Sequence, residues 1–519
     1  MCLILLISPF YVLAQLQQGE FAIGDTNYNE GYSIIQSRDG GYVIAGLTFI
    51  PLSGANNFYV VKLDSKGNLQ WTQSIGGNGN EEAYAIVETK DGGYAIGGST
   101  NSYGAGGYDM YIVKLDSMGA LKWTKTIGGF GSDICYSLVQ SKDGGFALTG
   151  YTFAFGNGGS DVYIVKLDST GNLKWTKTVG GANSEQGNSI IQTYDGGYAI
   201  TGLTRSYGAG NSDVYVVKID SAGNLLWTKT IGGRGDDIGN SIIQTHDGGY
   251  AIAGYTNSFG VGNNDMYIIR LDSLGTLKWT NTFGGAGTEE GNSIIQTWDG
   301  GYALGGYTNS YGAGGFDVYL IKLDSSDILQ WTKVIGGANS EMGHSLIQTK
   351  DKGFGITGIT TTFGLGKGDF YFIKLDSSAS FCNSINSGGS ITRQDSGLVS
   401  SGGLISSGAT LSSGGTESAL GVITNVCNVI STSKNKYSAN SYLEIFPNPC
   451  STTLTIDFET PSNLSSIQIM DITGRVLLTD HCLLTTDHYS IDVSALVPGM
   501  YFLRINSGSA TEVKKFIKE

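Results

Sequence analysis

Six acidic residues recur at one register of the chain: Glu81, Asp133, Glu185, Asp237, Glu289 and Glu341, with Asn29 at the same register in a seventh copy. A second set, Asp109, Asp161, Asp213, Asp265, Asp317 and Asp369, has Asn57 in its first copy. Carboxylates in glycine-rich loops are hard oxygen ligands, so calcium is the cofactor they admit. Asp also caps loops by accepting backbone N–H bonds, and a residue present in every copy serves a shared frame as readily as a site. Specific chemistry is better sought where the copies differ. One register reads Arg38, Lys90, Lys142, Tyr194, His246, Trp298 and Lys350, so three neighbouring copies turn aromatic in an otherwise basic series. Tyr194, His246 and Trp298 would offer a platform on which a sugar ring could stack.

Turnover needs a nucleophile with its base, a carboxylate pair or a metal cage. His246 and His344 fall at different registers, and neither GxSxG, HExxH nor a phosphate-cradling loop before a helix occurs. No catalytic residue is assigned, and a binding or scaffold module is the reading preferred. Acids meeting over a central channel keep a carbohydrate-active hydrolase or lyase open as an alternative. A calcium-stabilised structural surface protein is the third.

The elements that must position these residues follow from a strict period. Trp71, Trp123, Trp175, Trp227, Trp279 and Trp331 stand 52 residues apart, as do seven DGG or DKG aspartates and seven KLD-type segments. Each period holds four runs rich in Ile, Val, Tyr and Thr, joined in part by DGG and DSxG hairpin turns. Seven four-stranded repeats predict an all-β fold with a seven-bladed β-propeller over 19–377. The last repeat lacks its tryptophan strand, and "GEFAIG" near the N-terminus aligns with it. Residues 20–23 are therefore expected to close the ring as its missing outer strand. Equal copies assign the tryptophans and the KLD lysines to the framework, with each lysine charge meeting an acid or water. The repeat resembles bacterial propeller repeats of secreted and cell-surface proteins, which implies the fold and leaves function open.

The chain of 519 residues has 80 glycines, 6 prolines and a formal net charge of -14. Such acidity repels phosphate backbones and argues against nucleic acid as a partner. Residues 1–14, "MCLILLISPFYVLA", read as a secretory signal peptide, and no other apolar run approaches the ~20 residues of a membrane helix. Cys382 with Cys427, and Cys450 with Cys482, are possible disulfides in an oxidising compartment, and Cys135 is expected to be a buried thiol. Residues 378–441 turn to Ser and Gly and read as a linker, one that a Cys382–Cys427 bond would staple.

Strand patterns return over 442–519 and suit a small β-sandwich. "FPNP" at Phe446, Pro447, Asn448 and Pro449, "DITGRVL" around Gly474, "LVPGMYFLRI" around Gly499, and the basic end at Lys514 and Lys515 resemble the C-terminal sorting domain of type IX (Por) secretion substrates of Bacteroidetes. That resemblance implies the secretion machinery as a partner and a secreted or outer-membrane-surface location. A polysaccharide or a surface protein is the expected ligand.

Overall fold

The computed structural model describes residues 19–379 apart from positions 25 and 365, six short strands between 390 and 425, and, beyond 442, residues 443–446, 451–458, 464–471, 476–480, 488–507 and 510–518. The signal segment, Cys382, Cys427, Cys450, Cys482, Pro447, Asn448, Pro449 and Gly474 lie outside the described residues. Every regular element among the described residues is a β-strand. The chain divides into two compact units, Met1–Asn428 and Val429–Glu519.

In the first unit the period becomes seven antiparallel four-stranded sheets, a pattern consistent with propeller blades. The fifth repeat is typical: Asp237–Gln244, Tyr250–Thr256, Asp265–Leu271 and Leu277–Gly284 pair in chain order. Its second strand, YAIAGYT, and third strand, DMYIIRL, are almost wholly buried, because sheets stacked on both sides leave no wet face. The first hairpin closes on Thr245, whose N–H donates to Gly249 O at 2.9 Å, and Gly248 takes φ 82°, a conformation open to glycine.

The seventh repeat supplies Glu341–Gln348, Phe354–Thr360 and Asp369–Leu375, and its fourth strand is Gly19–Gly24. The pairing runs from Gly19 opposite Lys374 to Ile23 opposite Phe370. First strands of neighbouring repeats pack on one another, and Asn29–Gln36 of the first repeat packs on the first and second strands of the seventh. The same inter-repeat bond joins the ends as joins the middle. Lys350 N donates to Gln36 Oε1 at 2.8 Å, as Tyr194 N donates to Gln244 Oε1 at 2.7 Å.

The stretch assigned to a linker by composition holds six strands between 390 and 425. Ser390–Gln394, Leu398–Ser400, Leu404–Ser406, Thr410–Ser412, Thr416–Ser418 and Val422–Asn425 each add a fifth strand to the outer edge of a sheet, in the fifth, fourth, third, second, first and seventh repeats respectively. Matched register positions pair Ile391 with Phe283, Val399 with Ile231, Ile405 with Val179, Leu411 with Ile127, Glu417 with Ile75 and Ile423 with Ile23. A Ser/Gly segment builds no core of its own, but the free N–H and C=O groups of an outer strand give it a ladder to join. It forms a belt that runs backwards through the repeats.

The second unit contains a three-stranded sheet, Leu443–Phe446, Thr453–Phe458 and His488–Asp492, and a four-stranded sheet, Val476–Asp480, Leu464–Met470, Gly499–Ser507 and Ala510–Lys518. Leu454, Ile456 and Ile491 of the first share one core with Ile467, Leu503 and Phe516 of the second.

Candidate binding site at one inter-repeat joint

The six register acids are not brought together. Glu81, Asp133, Glu185, Asp237, Glu289 and Glu341 are each fully buried, one per joint. Each accepts bonds from its own loops: Glu289 takes the Gly285 N–H at 2.7 Å and the Thr308 hydroxyl at 2.6 Å, and Asp237 takes the Gly233 N–H at 2.7 Å and the Ser258 hydroxyl at 2.6 Å. Among the described residues no group of three His, Cys, Asp or Glu side chains is placed to hold a metal ion.

Each of these acids does meet one member of the second set across a glycine too tight for a side chain. A Cβ on Gly284 would lie 1.9 Å from Asp265 Oδ1 and 2.5 Å from Glu289 Oε2. Burial, with the neighbouring carboxylate adding to it, raises Asp265 to about 7, and Asp161 and Asp213 to about 6. Asp109 and Asp317 are raised to about 7 in the same way. At the two joints where Asn57 and Asn29 stand, an amide takes the place of one acid beside the same glycine. Asn matches a protonated Asp in shape, so these pairs are carboxyl–carboxylate loop locks.

Tyr194, His246 and Trp298 sit on consecutive first-hairpin tips, all exposed, the tyrosine by 60 % and the tryptophan by 69 %. Their backbone N–H groups are held by Gln244, Gln296 and Gln348 of the following repeat. At the basic positions of this register the side chain also reaches across the joint: Lys142 Nζ donates to Tyr194 O at 3.2 Å and Lys350 Nζ to Arg38 O at 2.9 Å. The aromatic tips make no such bond among the described residues, and no ring contact links the three.

His246 instead borders a pocket of ≈ 360 Å³ at the joint of the fifth and sixth repeats. Its floor and walls are Trp279, Arg270, Asp247, Lys278, Gln296, Gly300, Tyr302, Ser325 and Asp327. Two of these depart from the repeat. Six repeats place a buried KLD lysine on the DGG aspartate, with Lys166 Nζ 2.9 Å from Asp143 and Lys322 Nζ 2.8 Å from Asp299. The fifth has Arg270, whose guanidinium binds Asp247 at 2.6 Å, the Tyr302 hydroxyl at 3.1 Å and Tyr250 O at 3.1 Å. Asp327, at φ 65°, replaces the glycine that turns the outer hairpin of the first five repeats.

These departures open the joint. Elsewhere the tryptophan packs on the aromatic residue that starts the next repeat's second strand: Trp71 on Tyr94 at 5.9 Å, Trp227 on Tyr250 at 5.8 Å and Trp331 on Phe354 at 5.7 Å. Trp279 and Tyr302 make no such contact among the described residues. A Cβ on Gly275 would lie 3.0 Å from the Trp227 ring, so a side chain at that position crowds the indole. A methyl is absorbed, since Ala379 stands there above Trp331. The charged Asp327 together with an arginine fork that holds Tyr302 is not. The resulting pocket offers an indole surface ringed by hydrogen-bonding groups, the make-up of a site for a polar ring. Asp247 is held well below the ordinary carboxylate range, the cost of its burial outweighed by Thr245, Gly249 and Arg270, so it is committed as an ion-pair partner rather than a base.

A second break in symmetry lies on the innermost strands. A bulge sets out the fourth residue of each first strand, which reads Tyr32, Tyr84, Tyr136, Asn188, Asn240, Asn292 and His344. The rings follow one another at 5.2 Å for Tyr32–Tyr84 and Tyr84–Tyr136 and 5.3 Å for Tyr32–His344. On the other arc Asn188 and Asn240 donate to Gly239 O and Gly291 O. His344 Nε2 lies 2.8 Å from Glu30 Oε1. Burial pushes Glu30 up, but His344, Tyr28 and Tyr32 outweigh it and hold the carboxyl low.

Residues 444–519 match the family described as the secretion system C-terminal sorting domain. The C-terminal unit is a sorting domain. In it Phe446 pairs with Thr455, Gly499 with Lys518, Lys514 with Leu503 and Lys515 with Phe502. The sorting domain makes this a substrate of type IX secretion, secreted or held at the outer-membrane surface, with the secretion machinery as its partner. No helix among the described residues is long and apolar enough to cross a membrane.

The regulatory protein FlaEY of Caulobacter vibrioides is 29% identical over 168 residues, 28% of this chain and 17% of that protein's length. Of solved structures, Sqt1 from Chaetomium thermophilum has a TM-score of 0.39 at 15% identity, over 66% of this chain and 82% of that one. An endo-1,5-alpha-L-arabinanase from Thermotoga petrophila RKU-1 has 0.28 at 12% identity, over 68% and 99%.

Sequence reading missed Arg270 and Asp327. The signal was there in the repeat alignment, where Arg270 is the lone departure from its column and Asp327 one of two, with Ala379, but nothing in one dimension brings the two columns to the same joint.

Proposed function

We propose that the seven sheets close a seven-bladed β-propeller, that the sorting domain is a small β-sandwich, and that the propeller is a recognition module displayed by type IX secretion for a surface glycan. Ring closure is supported by the Gly19–Gly24 strand and by the bonds joining the seventh repeat to the first. The ligand is one sugar ring, stacked on Trp279 and hydrogen-bonded by the groups around it, with Trp298 and Tyr194 on the flanking tips extending contact along a chain. The observation that carries this reading is the ≈ 360 Å³ pocket at the joint where His246, Arg270 and Asp327 all depart from the common pattern.

The test is depletion of the full chain by a panel of insoluble and soluble polysaccharides, with titration calorimetry on any that bind. Arg270→Lys/Asp327→Gly restores the common joint and should weaken binding at least about tenfold, or about 1.4 kcal/mol, without lowering Tm. Trp298→Ala should weaken binding to long chains and spare short ones. Unchanged binding by the double variant removes the site from the pocket. Release of reducing ends would favour the enzyme reading, for which His344 and Glu30 are the residues to replace.

A further inference from the structure

The tyrosine arc on the first strands gives up a bond that the rest of its register keeps. Asn188, Asn240 and Asn292 each send an amide N–H to a backbone carbonyl of the following repeat, Gly239 O at 3.0 Å, Gly291 O at 3.2 Å and Gly343 O at 2.9 Å. The framework task of this position is thus to bridge two repeats. The three tyrosine hydroxyls stay instead within their own repeats, Tyr32 on Glu30, Tyr84 on Glu82 and Tyr136 on Tyr151. What the exchange leaves is a curved run of rings from His344 through Tyr32 and Tyr84 to Tyr136. Neighbouring planes meet at 44–59° rather than lying flat on one another, and all four rings are half-buried, so part of each remains open to solvent.

The charge beside the rings is negative. Glu82 accepts from Tyr84, and Glu30 is bonded to the hydroxyls of Tyr28 and Tyr32 and to His344 Nε2 at 2.8 Å. Among the described residues neither carboxylate has a lysine or arginine partner. Burial, with the carboxylates adding to it, pushes the Tyr32 and Tyr84 phenols up, so both stay neutral donors and do not offset the acids. Tyr28, 36 % exposed, opens the Glu30 end to water. An aromatic face attracts a cation through its quadrupole, and a carboxylate at its edge strengthens the attraction. We propose that this arc is a second binding site, independent of the sugar pocket, for a small organic ammonium ion held on the faces of Tyr32, Tyr84 and Tyr136 and balanced by Glu30 and Glu82. The net charge of -14 on the chain favours a ligand of that sign.

Titration of the full chain with tetramethylammonium chloride, followed by calorimetry and by the ligand's own proton signals, tests this. The cation should bind saturably, and tert-butanol, neutral and of similar shape, at least about tenfold more weakly. Glu82→Gln/Tyr84→Asn gives the second repeat the Gln186 and Asn188 pattern of the fourth, a pattern this fold already holds, and should weaken the cation at least about tenfold. Tyr136→Asn, which copies the same register and leaves both carboxylates in place, should weaken it at least about threefold. Arg270→Lys/Asp327→Gly should lower sugar binding and leave the cation's Kd unchanged, so the failure of one site is told apart from the failure of the other. The proposal is overturned by an unaltered chain that does not bind the cation saturably, by tert-butanol bound as tightly as the cation, or by a Kd unchanged in either tyrosine variant.

Discussion

The joint between the first two repeats and the joint between the fifth and sixth are built on one plan and end differently. At the first, Trp71 lies on Tyr94, a Cβ on Gly119 would come within 2.9 Å of the indole, and Lys62 puts its charge 2.8 Å from Asp39. The seam is packed. At the second, Arg270 replaces the lysine and Asp327 the glycine, the ring contact is gone and a pocket stands in its place. The frame hardly changes, because both arginine and lysine satisfy the buried end of the DGG aspartate. Repetition thus gives a scaffold in which two substitutions on one seam suffice to make a cavity, while the other joints keep the fold rigid.

The sharpest way to break the comparison is to remove the indole at each kind of joint. Trp227→Ala should cost about 2–3 kcal/mol, somewhat under the usual cost for a core tryptophan because the ring is only partly buried. Trp279→Ala should cost less in stability and abolish ligand binding. Equal losses of Tm in the two variants, with binding intact, would show that Trp279 is ordinary framework.

Exchanging the turn residues comes next in size. Gly275→Asp forces a side chain into a left-handed turn against Trp227 and should cost about 1–3 kcal/mol, measured by denaturant unfolding. Asp327→Gly should instead gain about 1 kcal/mol, since the strained φ of 65° is relieved. If Asp327→Gly destabilises, the aspartate is holding the joint together and the pocket is not its purpose.

The smallest effect concerns the carboxyl pair of the fifth–sixth joint, Asp265 with Glu289, where the first joint has Asn57 in place of one acid. The aspartates raised to about 6 or 7 keep a proton when folded that they give up above about pH 4 when unfolded. The folded state therefore binds more protons in that interval, and stability falls as pH rises from about 4 through 7 and is flat beyond. Asp265→Asn should raise Tm by a few degrees at pH 8 and leave it nearly unchanged at pH 4, with the natural Asn57 joint as precedent. A Tm for Asp265→Asn that tracks the unaltered protein at every pH would contradict the raised Asp265 carboxyl.

Much of this architecture is legible in the sequence because it is local and repeated. The spacing of Trp71 to Trp331, the hairpin turns and the alternation within each run mark the strands, and the missing tryptophan strand after Asp376 points to Glu20–Ile23 as its substitute. Repetition marks the KLD-type lysine as framework, and in six repeats it lies buried against an aspartate. The ordered motifs from Phe446 to Lys515 mark the sorting domain. What these residues dictate is set by backbone periodicity and turn chemistry, which need only neighbours in the chain.

Tertiary structure alone decided the belt and the pocket. Residues 390–425 have neither the length nor the apolar content to form strands by themselves, and they do so because outer edges laid down hundreds of residues earlier offer unpaired N–H and C=O groups. Likewise His246, Arg270 and Asp327 are separated along the chain and belong to two repeats, and each alone is a change at one repeated position. Only stacking one sheet on the next brings them around Trp279, because a cavity is a property of the space between elements rather than of any one of them.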